Sequence, residues 1–371
     1  MITDHSGFLY HAWLASAALP AETVAALLNR YETPQNVFLA LKSVQDKPEG
    51  IPPAGLMALR QNATKAQLDL FSRLLLSHRI RAFTIMDPEY PASLVHLPDP
   101  PAILFYQGNL QCLDRRILSM VGSRAASYDS LKATRQIAKK LSGRGIGIIS
   151  GLADGIDSAS HEGCLEGGSP TVAVTGCGLD MVYPAGNCAL RDKILENGGL
   201  LLSEYAPGDR PLGWHFPYRN RIITGISKAL IVMEARIRSG TMTSVQHALN
   251  QGKDVFVYPG DPASPRYEGN HQLLREGAIF FTTPEDILED LGWLDNPEII
   301  GQNIVCSNRA ATLSPEEETV ISVLKPGKLS FEQISEKSLL QPAALLSTLT
   351  MLQIKGYIEA LPGKVYRLKE L

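Results

Sequence analysis

The sequence lacks several features that define common protein classes. Its five cysteines are scattered and form no CxxC pair, which disfavours both a zinc finger and a disulfide framework. No apolar run reaches the length needed to span a bilayer, and the first residues carry no basic region of the kind that opens a signal peptide. We therefore expect a cytoplasmic protein with no membrane partner, no metal and no other cofactor.

The formal net charge is also small, at −3, because 35 Lys and Arg nearly cancel 38 Asp and Glu. Its distribution is more informative than its sum. Residues 115–254 hold 17 Lys and Arg against 12 Asp and Glu, whereas residues 310–371 hold 7 of each kind. The positive excess lies in the middle of the chain, where an anionic partner would have to bind.

The first 80 residues predict a small helical domain. Residues 1–80 contain apolar residues at helical spacing in Ala21–Tyr31 and Leu56–Leu76, which predicts a helical N-terminal domain of the SAM or helix-hairpin-helix kind. The turn at Ser16–Pro20 has no glycine of the kind that a DNA-gripping hairpin uses.

A polar linker over 295–311 precedes a predicted winged-helix domain over 312–371. Ser314-Pro315 and Ser330 with Gln333 are helix starts, Gln341–Lys355 reads as a third helix, and Ile358–Leu368 reads as a hairpin turning at Pro362-Gly363.

Between these ends, residues 81–294 alternate short apolar runs with amphipathic stretches. This alternation predicts an α/β domain with a Rossmann-like, doubly wound, mostly parallel sheet and helices on both faces. In such sheets ligands bind beyond the carboxyl ends of the strands. The predicted strands are Ile117–Val121, Ile146–Ile149, Thr171–Thr175, Leu200–Leu202, Ala229–Met233 and Val255–Tyr258.

Two glycine-containing loops follow the first two of these strands. In the first, Gly122 lets backbone approach a ligand, Ser123 adds a hydroxyl and Arg124 offers a fork of donors suited to phosphate, while the start of the next helix favours an anion. A plain strand–helix turn is the alternative. In the second, Gly151 and Gly155 again allow close approach. Asp157 there is either a catalytic carboxylate or, as we favour, a cap or arginine partner.

A third loop opens the helix before Ala229 with aromatic residues and arginines. Phe216 and Tyr218 suit base stacking, and Asn220 lies between Arg219 and Arg221. Residues two apart on a helix point to nearly opposite faces, so the two arginines cannot share one role. We expect one to meet phosphate and the other to pair with an internal carboxylate such as Glu204 or Glu234; the alternative is a surface helix with solvated arginines.

A fourth loop, Ser239-Gly240-Thr241, offers amides and hydroxyls at another helix start. Four such loops on one edge of a sheet predict a phosphate-binding surface, which we interpret as one for the backbone of single-stranded DNA. The sequence shows no catalytic residue set, so we expect a binding protein and not an enzyme.

Taken in order, the motifs are GSR at Gly122–Arg124, SGLADGID at Ser150–Asp157, Tyr183-Pro184, FPYRNRIITGIS at Phe216–Ser227, Ser239-Gly240, the YPG that ends at Gly260 and EGN at Glu268–Asn270. With them the chain resembles the DNA-processing protein A (DprA/Smf) family. The resemblance implies a homodimer that binds single-stranded DNA in natural transformation, protects it, and loads RecA recombinase past single-strand binding protein. It also implies a dimer surface at His271, Leu274 and Phe280. Asp154 departs from the family pattern, which usually has arginine or another residue there.

The competing hypothesis is a nucleotide-processing enzyme of the lysine-decarboxylase-like phosphoribohydrolase type, which shares this kind of sheet. That chemistry needs a PGGxGTxxE loop in which the glutamate is the acid/base. Here the comparable stretch is Ser239–Ser244, and no carboxylate follows before Asp254.

Overall fold

The structure is a computed structural model. It describes residues 8–42 and 51–294, and in the C-terminal region 315–324, 328–338, 340, 345, 347–349, 352, 358–361 and 365–368. The chain divides into two compact units, 1–301 and 302–371, and each is described by itself. The predicted linker over 295–311 lies outside the described residues.

A nine-stranded sheet forms the centre of the first unit. Its strand order is β1-β2-β6-β5-β4-β3-β7-β8-β9; β1 and β2 run antiparallel to their neighbours and all other pairs are parallel. The six predicted strands are confirmed to within one or two residues at each end. The strands are β1 (Arg81–Thr84), β2 (Ile103–Gly108), β3 (Ile117–Val121), β4 (Gly147–Ser150), β5 (Val172–Val174), β6 (Leu200–Ser203), β7 (Ala229–Val232), β8 (Asp254–Val257) and β9 (Ile279–Phe280).

The winding of this sheet creates a crevice beside β3. From β3 the chain proceeds outward through β4, β5 and β6, and then returns to place β7, β8 and β9 on the other side of β3. The loops that follow β3 and β7 therefore diverge, and ligands bind at this kind of switch point. Every residue of β3 to β7 is buried, because helices cover both faces. The predicted fold class is confirmed.

The helices around the sheet begin and end close to the glycine loops and caps of the sequence. Ser127 caps the first of the long ones by accepting a hydrogen bond from the Ser130 amide, and Thr283 and Asp286 form a reciprocal capping box at the last. These helices are α6 (Ala92–Val95), α7 (Tyr128–Ser142), α8 (Ile156–Gly167), α9 (Cys188–Glu196), α10 (His215–Ile226), α11 (Gly240–Asn250), α12 (Glu268–Arg275) and α13 (Pro284–Asp290).

Five helices precede the sheet: α1 (Leu9–Ala15), α2 (Ala21–Tyr31), α3 (Pro34–Lys42), α4 (Pro53–Gln61) and α5 (Lys65–Ser77). The helical pattern over Ala21–Tyr31 coincides with α2, and the helical pattern over Leu56–Leu76 is divided between α4 and α5. Thr64 interrupts it, since its side chain accepts the Gln67 amide and starts a new helix. Trp13 and Phe38 share one hydrophobic core with Phe105 of β2, so these helices pack on the sheet.

The described part of the second unit contains α14 (Pro315–Leu324), β10 (Leu329–Ser330), α15 (Phe331–Ser338), β11 (Ile358–Leu361) and β12 (Val365–Leu368). Ser330 and Gln333 exchange backbone and side-chain hydrogen bonds, as the sequence predicts. The strands form an antiparallel sheet in the order β10-β12-β11. The predicted turn at Pro362-Gly363 lies outside the described residues, as does most of the helix expected over 341–355.

Candidate nucleic-acid interface

A groove of about 770 Å³ opens at the switch point, where the loops after β3, β4 and β7 meet the start of α10. We call it the switch-point groove. The charged side chains among its described lining residues are four arginines and one aspartate. They are Arg124, Asp157, Arg219, Arg236 and Arg238. The groove therefore carries a net positive charge, although the protein as a whole is slightly acidic.

The loop after β3 is held firmly from both sides. The Ser123 amide donates to the Glu234 carbonyl at 2.8 Å, and the Ser123 carbonyl accepts from the Ile156 amide at 3.2 Å. A Cβ at Gly122 would lie 2.5 Å from Ile156, so only glycine fits there. Arg124 projects from this rigid loop; its guanidinium lies 5.3 Å from the centroid of the Phe216 ring and forms no ion pair within the described residues. It is available to an anionic ligand.

The N-terminus of the helix behind this loop is occupied by a carboxylate of the protein itself. Glu234, which is 1% exposed, reaches from the end of β7 and occupies the N-terminus of α7. Its Oε2 accepts from the Ser127 amide and hydroxyl, each at 2.9 Å, and from the Ser130 hydroxyl at 2.8 Å. Burial alone would raise the pKa of Glu234, but these hydrogen bonds outweigh it and the pKa is lowered. The protein supplies its own anion at this helix.

Gly151 and Gly155 contribute to the groove indirectly, by allowing close packing behind it. A Cβ at Gly151 would lie 2.6 Å from both Arg219 Nη2 and Asp157 Oδ2, and one at Gly155 would lie 2.3 Å from the Ser123 carbonyl oxygen. Gly155 also has a positive φ of 78°, which other residues rarely adopt. Neither glycine lines the groove itself. They let side chains and neighbouring loops pack closely, instead of admitting the ligand directly.

Asp157 lies in the first turn of α8, and its Oδ2 accepts the Ala153 amide at 3.4 Å, so the carboxylate ties down its own loop. Burial raises the pKa of Asp157, and the positive charge of Arg219 opposes that effect.

Helix α10 directs its two arginines to different sides, as the spacing predicts. Arg219 lines the groove, is 3% exposed, and donates from Nη1 to the Gly151 carbonyl at 2.9 Å. Burial lowers the pKa of Arg219 to about 10, so this side chain remains charged at neutral pH. Asn220 also lines the groove, and its Oδ1 accepts from Arg219 Nε at 3.3 Å.

Arg221 faces away from the groove and pairs with Glu204, which confirms one of the two expected partners. Its Nη1 and Nη2 donate to the carboxylate at 2.9 and 2.7 Å, and its Nε donates to the Asp99 carbonyl at 2.8 Å. Tyr218 lies on the same side, with its ring centroid 3.9 Å from the Arg221 guanidinium and its hydroxyl donating to Asp99. The sequence assigned Tyr218 and Arg221 to DNA contact; the structure places both outside the groove.

Phe216 supplies the aromatic surface of the groove. Its ring lies under Arg124 and 5.2 Å from the ring of Tyr183, which is 47% exposed. The sequence shows Tyr183-Pro184 as a motif, yet Tyr183 was not among the residues predicted for the site. The Tyr183-Pro184 motif is the sequence signal from which Tyr183 could have been assigned to the site.

The loop after β7 places an open helix start in the groove. The Ser239 hydroxyl donates to the Arg236 carbonyl at 2.8 Å and so leaves α11 without a side-chain cap. Gly240 and Thr241, the first residues of α11, both line the groove, and their amides have no acceptor among the described residues. Such amides, at the positive end of the helix dipole, favour an anion. Arg236 and Arg238, absent from the predicted site, precede this helix start in the chain and also line the groove.

Asn270 holds that loop in place and is fully buried. Its Oδ1 accepts the Ala235 amide at 2.7 Å, and its Nδ2 donates to the carbonyls of Met233 and Tyr258 at 3.2 and 2.7 Å. Gly269 donates its amide to the Ala235 carbonyl at 2.9 Å. The EGN motif therefore positions the loop after β7, a role that the sequence alone did not reveal.

The residues predicted for a dimer surface lie on α12 and on the edge strand β9. Phe280 of the edge strand β9 is 56% exposed, Leu274 is half-buried, and His271 Nε2 lies 2.9 Å from the Pro259 carbonyl. Leu273 is buried, as expected for a residue that completes the core. Among the described residues, no helix is long and apolar enough to cross a membrane, and no cluster of His, Cys, Asp and Glu is arranged to hold a metal ion.

The chain matches two protein-family models and several known proteins. The family described as DNA recombination-mediator protein A matches residues 81–292, and the DprA winged helix domain matches residues 307–364, which confirms the predicted winged helix. DNA processing protein DprA of Streptococcus pneumoniae is 43% identical over 209 residues, 56% of this chain and 73% of that protein. Protein Smf of Escherichia coli is 36% identical over 285 residues, 76% of this chain and 75% of that protein.

Two solved structures show the same fold. The X-ray structure of DNA processing protein A from Streptococcus pneumoniae aligns with a TM-score of 0.65 at 36% identity, and covers 76% of this chain and 97% of that one. The protein from Helicobacter pylori, whose structure is described as giving insight into a unique single-stranded DNA binding mode, aligns with a TM-score of 0.52 at 30% identity, over 57% and 95% of the two chains.

Proposed function

This chain belongs to the DNA-processing protein A (DprA/Smf) family, and from that premise we propose that its switch-point groove binds the backbone of single-stranded DNA. The observation that carries the proposal is the groove's composition: four arginines, one aspartate and the open N-terminus of α11 converge on one crevice. Phosphodiesters are the abundant ligands that match fixed positive charge and backbone amides together.

The described geometry supports a mechanism in which three kinds of interaction act together. Arg124 and Arg219 neutralise phosphates and release counterions, which makes binding depend on salt. The amides of Gly240 and Thr241 hold a further phosphate oxygen. Phe216, with Tyr183 beside it, offers a face on which a base stacks without regard to its identity. Interactions of this kind position a strand and read no sequence.

We also propose a cellular role for the protein, which rests on its family membership. The protein would act in the cytoplasm during natural transformation, protect incoming single strands as a homodimer, and load RecA recombinase onto them in competition with single-strand binding protein. The exposed ring of Phe280 on the edge strand β9 supports a dimer surface, because an apolar edge strand needs a cover.

We propose further that the groove performs no reaction. Among the described lining residues the sole carboxylate is Asp157, which holds its own loop, and α11 carries no glutamate where a phosphoribohydrolase would need one. Incubation with nucleoside monophosphates tests this directly, since release of free base would contradict it.

The decisive experiment measures fluorescence anisotropy of a labelled oligothymidylate across a salt series. We expect Arg124→Ala and Arg219→Ala each to weaken binding and to make the salt dependence shallower by roughly 0.7 for each phosphate that the arginine had neutralised. The matched control is Arg73→Ala, which removes the same charge from the exposed surface of α5. If the two groove variants bind like Arg73→Ala, the groove is not the site. Arg124 is exposed, so its variant keeps the test valid even if Arg219→Ala folds poorly.

A further inference from the structure

A second cavity, of about 650 Å³, lies within the first unit on the opposite side of α10 from the switch-point groove. We call it the aromatic cavity. Leu14, Leu19 and Val24 of the N-terminal helical region line one side, and Tyr205, Trp214 and Tyr218 line the other. Its volume falls within the range of small-molecule sites, which are mostly apolar with a few polar groups. None of the interactions described for the groove uses it.

The three aromatic rings meet at steep angles. Tyr205 and Trp214 lie 6.4 Å apart with their planes at 78°, and Trp214 and Tyr218 lie 6.3 Å apart at 63°. Trp214 is 60% exposed, an unusual position for a large ring that a folded protein could have buried. The Arg221 guanidinium already lies on the Tyr218 ring, and the His215 ring stacks on Tyr205. Trp214 is therefore the ring of the three that offers most of its surface to a flat apolar group.

The charged lining residues are three carboxylates, Asp99, Glu204 and Asp209, and one arginine, Arg210 at the exposed rim. Glu204 is neutralised by Arg221, and Asp99 accepts from Tyr218.

Asp209 differs from the other two carboxylates. Its Oδ2 accepts the Ala206 amide at 2.9 Å, and no cation pairs with it among the described residues. Burial, with the nearby charge of Asp180, raises the pKa of Asp209 to about 6. His215 adds no positive charge, because burial lowers its pKa.

We propose that the aromatic cavity binds a small organic cation with a flat apolar body, its ammonium group at Asp209 and its ring against Trp214. The exposed ring of Trp214 selects a flat apolar group, and the half-buried Asp209 carboxylate, which has no cation partner among the described residues, selects positive charge over neutral or negative isosteres. The proposal is independent of DNA binding, since its residues lie on the other side of α10 from Arg219 and Phe216.

The test compares three phenyl compounds of similar size on the full-length protein by calorimetry. They are phenethylamine, which is cationic, 2-phenylethanol, which is neutral, and 3-phenylpropionate, which is anionic. We expect phenethylamine to bind at least tenfold more tightly than the other two. Asp209→Asn should abolish that preference and leave the affinity for 2-phenylethanol unchanged. Trp214→Ala should weaken the binding of phenethylamine and of 2-phenylethanol alike.

The matched control is Asp254→Asn, which removes a carboxylate at the exposed start of β8 and should leave all three affinities unchanged. Equal binding of cation and anion, a preference that survives Asp209→Asn, or no binding of phenethylamine at millimolar concentration would each overturn the proposal. Because Trp214 is largely exposed, its variant should fold and keeps the test interpretable if Asp209→Asn does not.

Discussion

Replacing Arg221 by alanine should destabilise the first unit while sparing the groove. The substitution removes two hydrogen bonds of 2.9 and 2.7 Å to Glu204, one of 2.8 Å to the Asp99 carbonyl, and the stacking of the guanidinium on Tyr218. The Arg221 side chain is 6% exposed and that of Glu204 19%, so water cannot replace the missing partner well.

Breaking a buried pair by removing one member costs about 3–5 kcal/mol, because the remaining charge is stranded. Burial already raises the pKa of Glu204, so this carboxyl can take up a proton when its partner is gone, and that uptake limits the destabilisation. We therefore expect the lower end, about 3 kcal/mol, which for a unit of this size lowers the melting temperature by roughly 5 °C, since the unfolding entropy is about 2.1 cal/mol/K per residue.

Tryptophan fluorescence is the appropriate assay, because all three tryptophans lie in residues 8–294 and report on this unit alone. Arg221→Ala combined with Glu204→Gln should be less destabilised than the sum of the two single changes, since the double variant strands no charge. If Arg221→Ala leaves the melting temperature unchanged, or if the effects of the two single changes add fully in the double variant, the ion pair with Glu204 is not the source of the stability that Arg221 provides.

Two further predictions concern sites away from the groove. His161 is fully buried, and burial lowers its pKa to about 3. Below about pH 6.5 the unfolded state therefore takes up a proton that the folded state does not bind. The free energy of unfolding falls as the pH falls. Between pH 7 and 5 this group should cost about 2 kcal/mol, an effect that His161→Asn removes and that urea unfolding at both pH values measures. Leu274→Arg should lower the solution mass of the protein at micromolar concentration, by light scattering; an unchanged mass would count against the proposed dimer surface.

Much of the core could be predicted because its signals are local. Strands β3 to β7 are buried on both faces, so each appears as a continuous apolar run, and glycines mark the loops that follow. The opposite roles of Arg219 and Arg221 follow from helical geometry alone, since residues two apart differ by about 200° around the axis.

The parts that could not be predicted depend on distant partners. Strands β1 and β2 are short and antiparallel, and a four-residue run such as Arg81–Thr84 carries too little pattern to identify a strand. The side of α10 on which Tyr218 lies is fixed by its hydrogen bond to Asp99, a residue 119 positions earlier in the chain. The role of Asn270 likewise depends on backbone groups just after β7 and β8 that only the folded sheet brings near it.

The two helix starts at the switch point differ in whether their first amides are open to an anion. Both α7 and α11 follow a central strand and begin near the same crevice, so both are suited to phosphate by local reasoning. Glu234 satisfies α7 with three hydrogen bonds to its Oε2, whereas Ser239 turns back to the Arg236 carbonyl and leaves the first amides of α11 open.

An external phosphate at α7 would have to displace a buried carboxylate, whereas at α11 it has only to displace water. In the proposed complex with DNA we therefore expect a phosphate at the start of α11 and none at the start of α7. The distinction between the two helices depends on one glutamate at the end of β7, and no property of either helix alone reveals it.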